Sequence, residues 1–341
     1  MRTNPLVQLL LMRLRLLWRN PGVLFWTFVF PVVVSMVLGT AFERDVLGPV
    51  KVAIVDGAGA QALAERLATE PELAVLRLTA EEAHRQLSQG KVAMVLVPGP
   101  ALELRVDPSR PEGRSARLLV ESALSPPSAD RKRLRATPVS EPGSRYVDFL
   151  IPGLLGLSLM STSVWTMALP LVIMRGGKLL KRLGATPMRR GHFFAAFALA
   201  RGVFALLEMV FFCAFARLAY GVPMVGSYLA FAGVVLLGAT CFGGLGLFAA
   251  SRIDSDESAN GVFNVVTLPM VFLSGVFFPL ERLPGWARPL IEALPLTPLN
   301  AALRGIMLEG AGLTTLAVPL AVLLAWSVVF YAGALRFFRW V

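Results

Sequence analysis

Long stretches without a single charged side chain recur along this sequence, and they constrain its fold more than any other feature. A bilayer core of about 30 Å needs about 20 consecutive apolar residues in a helix. Pro21–Phe42 and Phe149–Met174 meet that length, Gly221–Ser251 and Ser258–Leu280 each contain such a run, and Gly310–Leu335 closes the series. Phe193–Tyr220 is equally apolar but carries Arg201, Glu208 and Arg217. Six spans are expected. A mean hydropathy of +0.65 agrees with that reading. The expected fold class is therefore a polytopic α-helical membrane protein with six transmembrane helices.

Charge sets the orientation. The net charge of +11 would suggest nucleic acid in a soluble chain,. Here Arg2, Arg13, Arg15 and Arg19, the loop Arg175–His192 (RGGKLLKRLGATPMRRGH), and Arg336 and Arg339 hold 12 basic groups and no acid. Basic residues flanking spans stay on the cytoplasmic side, so the excess is topological and no nucleic-acid partner is expected. Residues 1–20 become a cytosolic amphipathic segment lying on the inner surface. Residues 21–42 become the first span, retained as a signal anchor, and the 175–192 loop is cytosolic.

Residues 43–145 differ in kind, with 15 basic and 14 acidic residues. Val50–Asp56 and Lys91–Val97 read as buried strands, Ala74–Leu78 and Leu102–Val106 as shorter ones. Gln61–Leu73, Ala80–Gln89 and Gly113–Leu124 read as helices, with Thr79 and Glu82 placed for a capping box. The alternation predicts a small extracytoplasmic α/β domain and linker inserted between the first and second spans. Ser125–Gly143 is the linker, and Arg131, Lys132 and Arg133 in it are solvated or touch anionic headgroups. The rest, 146–341, is a transmembrane domain of five helices. Its segment 281–312 holds apolar pieces too short to span, interrupted by proline. Two half-helices dipping into the outer leaflet are expected there, a re-entrant segment before the sixth span, marked by Pro279, Pro284, Pro295 and Pro298.

Catalytic chemistry is poorly supplied. The only histidines, His84 and His192, fall on opposite sides, and Cys213 and Cys241 lie in spans, so no catalytic and no metal site is expected,. No G-x-x-x-x-G-K-[ST] phosphate loop occurs,. Two places invite a functional reading. Leu179, Leu180 and Leu183 make an apolar stripe on a basic helix that stops before Pro187, a handle for a partner or an orientation-setting surface loop. Arg201 and Glu208 share one face of the third span. They are either satisfied within the bundle or face a polar translocation path.

With these features in hand, the chain resembles the ABC-2 type permeases of ABC transporters. Three segments carry the likeness: LWRNPGVLFWTFVFP (Leu17–Pro31), LKRLGATPMRR (Leu180–Arg190) and Phe272–Leu308, with G-x-F-F-P, L-P and P-L-x-P. The resemblance implies the multi-pass transmembrane subunit of a plasma-membrane exporter that docks a separate cytosolic ABC ATPase, in a homodimer or with a paralogous permease. It implies that Leu179, Leu180, Lys181, Arg182, Leu183, Gly184 and Ala185 form the coupling helix. It implies no cofactor on this chain, with ATP and Mg on the partner subunit, and membrane lipid as surroundings. The family often has acids before and within that helix, where this chain has Gly176, Gly177 and Lys181. A membrane-anchored receptor or scaffold with an α/β binding domain would need fewer spans. An ion-coupled secondary transporter would show internal repeats.

Overall fold

A computed structural model describes residues 5–47, 49–89, 91–99, 102–106, 111–124, 145–179, 190–253, 255–278, 280 and 284–337. The chain divides into two units, residues 42–139 and the remainder.

The smaller unit is a four-stranded sheet of order β2-β1-β3-β4, from β1 (Val50–Val55), β2 (Leu73–Leu78), β3 (Met94–Val97) and β4 (Glu103–Val106). β1 pairs in parallel with β2 and β3, while β4 runs antiparallel to β3. Alternation along β1 sends Val52 and Ile54 to one face and Ala53 to the other. The first face is covered by α3 (Ala60–Leu67) and α5 (Pro111–Leu124) through Leu67, Ala116 and Val120. The second is covered by α4 (Ala80–Ser88) through Ala83. Thr79 starts α4 by accepting from the Glu82 amide, and its hydroxyl donates to the Glu82 carboxylate at 3.2 Å.

In the larger unit, α1 (Pro5–Trp18) precedes the helical run Pro21–Ala41, called α2 here. A wider π turn at Phe25–Val29 interrupts α2, and Asn20 caps its start by accepting from the Val23 amide. The others are α6 (Tyr146–Gly176), α7 (Arg190–Tyr220), α8 (Tyr228–Ala249), α9 (Asp256–Leu273), α10 (Arg288–Ala293), α11 (Leu296–Glu309) and α12 (Ala317–Phe337). Among the described residues five helical stretches are long and apolar enough to cross a membrane: α2, α6, Ala195–Tyr220 of α7, Tyr228–Arg252 on α8, and α12. The expected fifth span, Ser258–Leu280, is not among them. It forms the 18-residue α9, which takes Glu257 into its first turn and stops at Ser274, where Gly275 adopts φ 67°.

The centre is α6, which packs against α7, α8, α9 and α11. Its Leu150, Ile151, Leu154, Leu155, Leu159 and Met160 are fully buried. Apolar burial cannot by itself hold helices together in lipid, so close backbone approach and polar contacts decide the pairing. Gly153 and Gly156 provide the approach of α11 to α6. A Cβ on Gly153 would lie 2.8 Å from the Val276 carbonyl oxygen, and one on Gly156 would collide with the Asn300 amide. Gly156→Leu should therefore lower the melting temperature of the purified protein, overpacking of this kind costing about 1–3 kcal/mol. Gly261→Ala, in the exposed interior of α9 where a Cβ meets open space, should not lower it, since alanine is the better helix former, which thermal unfolding of both variants in detergent checks.

Candidate functional site

Leu179, the only residue of the expected coupling helix within the described structure, is exposed beyond the end of α6. Leu180, Lys181, Arg182, Leu183, Gly184 and Ala185 lie outside the described residues. The base from which they depart is firmly built. The Gly177 amide bonds the Ile173 carbonyl, and Lys178 turns the chain with φ 55°. Arg175, the first charge of that loop, is half-buried. Its guanidinium donates to the carbonyls of Ala250 at 2.8 Å, Ile253 at 2.6 Å and Ser251 at 3.1 Å. The end of a helix leaves carbonyls without intrahelical partners and carries partial negative charge. A cation from α6 thus closes the end of α8, fastening the start of the basic loop to a second helix.

Arg201 and Glu208, both on α7, are fully buried and bind each other. The guanidinium makes a two-pronged contact, Nη1 to Oε1 at 3.0 Å and Nη2 to Oε2 at 3.2 Å. Its Nε donates to Ser163 Oγ at 2.7 Å, and Nη2 also reaches the Leu159 carbonyl. The Thr162 hydroxyl bonds the Glu208 carboxylate and stands 3.4 Å from that of Thr27 on α2. Ser158, Thr162 and Thr166 recur every four residues, so α6 presents one polar stripe to α2 and α7. The stripe ends at Arg13 of α1, whose Nη2 donates to the Thr166 carbonyl at 3.2 Å and whose guanidinium covers the Phe197 ring at 3.5 Å. Burial lowers the Arg13 guanidinium to about 10, still a cation at neutral pH. Only the seven-residue spacing of the ion pair was conspicuous in the sequence. The serine and threonine repeat in α6 was the overlooked signal.

The proline-rich segment is built from two helices. Pro284 precedes a single 3-10 turn, Pro295 sits at the break between α10 and α11, and Pro298 lies buried in the first turn of α11. Pro279 lies outside the described residues. At about 1.5 Å per residue, the 14 residues of α11 are too short to cross a bilayer. Two side chains that sequence reasoning passed over hold this region. Asn300 donates to the Ser274 carbonyl, and Arg304 donates to those of Gly275, Val276 and Phe149. They satisfy the backbone at the end of α9, which an apolar setting would otherwise penalise. Trp326 does the same for Ala293 at the α10–α11 break.

A bundle of apolar helices around a buried ion pair, with no metal-ligating cluster among the described residues, defines a multi-pass membrane protein. Residues 122–308, more than half of the chain, match the ABC-2 type transporter family, and the chain belongs to that family as a transporter permease. It is 28% identical over 198 residues to ABC transporter G family member 20 of Dictyostelium discoideum, covering 53% of this chain and 25% of that protein. It is 29% identical over 98 residues to the daunorubicin resistance ABC transporter permease protein DrrB1 of Streptomyces coeruleorubidus, covering 29% of this chain and 33% of that one. The chain thus spans a quarter to a third of the length of these relatives.

The ion pair can be tested against its two readings. Glu208→Gln strips the buried guanidinium of its counter-charge and should destabilise the protein by about 3–5 kcal/mol. The apolar double variant Arg201→Met with Glu208→Leu should melt close to the wild type. If the pair is structural, that double variant also keeps transport. If it lines a translocation path, the double variant folds but fails to transport.

Proposed function

We propose that this chain is the transmembrane subunit of an ATP-driven exporter in the plasma membrane, and that a separate ABC ATPase binds the 175–192 loop from the cytosol. ATP and Mg belong to that partner, since this chain has no phosphate loop in its sequence. A second copy, or a paralogous permease, completes the translocation path. Residues 43–145 lie outside the cell, α10 and α11 dip into the outer leaflet, and α9 crosses as a short sixth span with its flanking residues.

The observation that carries this reading, beside the family, is the grip of Arg175 on the end of α8. A surface loop that only sets orientation has no need of a fixed base. A lever driven by a partner does, because displacement at its tip moves the bundle only if its root is rigid. The direction of transport is supported by the relative named as a daunorubicin resistance permease.

Leu180 and Leu183 would then seat in the ATPase, where a few buried apolar anchors carry most of the affinity. The double variant Leu180→Asp with Leu183→Asp should insert normally yet lose its co-purifying ATPase and its transport, because buried unpaired carboxylates cost several kcal/mol. Lys181→Glu with Arg182→Glu should act more mildly and in a salt-dependent way. A double Asp variant that retains the ATPase and transports at the wild-type rate refutes the coupling role.

A further inference from the structure

The end of α7 remote from the basic loop borders a cavity of about 300 Å³, walled by Cys213, Arg217, Val222, Met224, Tyr228 and Met307. Its frame is rigid. Gly221, at φ 68°, closes α7 as its amide bonds the Arg217 carbonyl and that of Val222 bonds Ala216. The Val225 amide bonds the Met307 carbonyl of α11 at 2.9 Å. A Cβ on Gly226 would strike the Ile306 carbonyl, so the turn lies directly on α11. Ser227 then caps α8 by accepting from the Ala230 amide.

Arg217 is the arginine that lines this cavity, and it is exposed. Arg13, Arg145, Arg175, Arg201 and Arg304 each bond a carbonyl or a carboxylate. Among the described residues Arg217 has no hydrogen-bond or ion-pair partner. Besides Arg217, the side chains that line the cavity are apolar apart from the Tyr228 phenol and the Cys213 thiol. The flanking residues Leu218 and Leu229 are 86% and 83% exposed. They extend an apolar surface from a span end, where lipid headgroups begin. A guanidinium at a span end is placed to meet an anion of the membrane surface, and its fork suits a phosphate oxygen pair. The volume sits at the lower limit of ligand pockets, roughly 300 Å³, enough for a headgroup.

We propose that this cavity binds the anionic, phosphate-bearing head of a membrane amphiphile, with Arg217 as the charge contact, Tyr228 as a donor, and the acyl chains lying over Leu218 and Leu229. Such a site requires only that the chain spans a membrane, and it stands apart from the ATP-driven reading.

Alkylation of Cys213 by N-ethylmaleimide, followed by peptide mapping, reads occupancy inside the cavity. Cys241 is fully buried and serves as an internal reference. In detergent, the full chain should be protected at Cys213 by phosphatidylglycerol and not by phosphatidylcholine. Arg217→Gln should raise the phosphatidylglycerol concentration for half-protection about tenfold, the loss expected for one charge-assisted contact. Arg217→Lys, which keeps the charge and loses the fork, should raise it less. Both variants should melt like the wild type without lipid, since Arg217 has no partner among the described residues to lose. Glycerol 3-phosphate, which has the head without the chains, should not protect at the same concentration. Equal protection of wild type and Arg217→Gln overturns the site. Equal protection by phosphatidylcholine removes its charge preference and overturns it as well. Protection by glycerol 3-phosphate as good as that by phosphatidylglycerol would make the ligand a soluble phosphate and contradict the amphiphile.

Discussion

The buried contact between Arg201 and Glu208 is the constraint on which the arrangement of the bundle rests. Two full charges withdrawn from water are tolerable only when they face each other and their remaining hydrogen-bonding capacity is filled. Here the filling comes from α6: Ser163, Leu159 and Thr162 supply it. That requirement fixes the rotation of α6 against α7. Thr27, within reach of Thr162, extends the same requirement to α2. Because Arg13 takes the next carbonyl along the stripe, even the amphipathic α1 is held in register with the interior.

The opposite faces of α6 are governed by space and by its end. Gly153 and Gly156 let α11 come close enough for Asn300 and Arg304 to reach the broken end of α9. At its last turn Arg175 gathers three carbonyls from the end of α8 and the residues after it. One helix of 31 residues therefore links the polar interior, the interrupted α10–α11 segment and the root of the basic loop. Apolar contact fills the volume between these points but is much the same against lipid as against another helix. The polar contacts and the glycine clefts are what specify one arrangement.

How much of this was legible in the sequence depends on range. Local signals read well: the capping box at Thr79 and Glu82, the strands at Val50 and Met94, and the long apolar runs all depend on near neighbours. Arg201 and Glu208 were recognisable because helix geometry alone puts residues seven apart on one face. Arg175 and Arg304 were not. Nothing near either in sequence shows that its partners are carbonyls about 75 and up to 155 residues away. Ser158, Thr162 and Thr166 were hidden for a related reason: their average hydropathy vanishes in an apolar run, and only the four-residue spacing betrays them. In the fifth run the apolar letters continue past Leu273, while the helix stops at Ser274 and Gly275 turns the chain with φ 67°.

In the proposed coupling, α6 is a rigid lever whose root is held by Arg175. Its most direct test is the ratio of substrate moved to ATP hydrolysed by the chain with the proposed partner ATPase in proteoliposomes, wild type against Arg175→Lys. A lysine keeps the charge but cannot span three carbonyls in one plane. The account predicts that ATP hydrolysis persists while transport per ATP falls severalfold. An unchanged ratio at an unchanged melting temperature would contradict it.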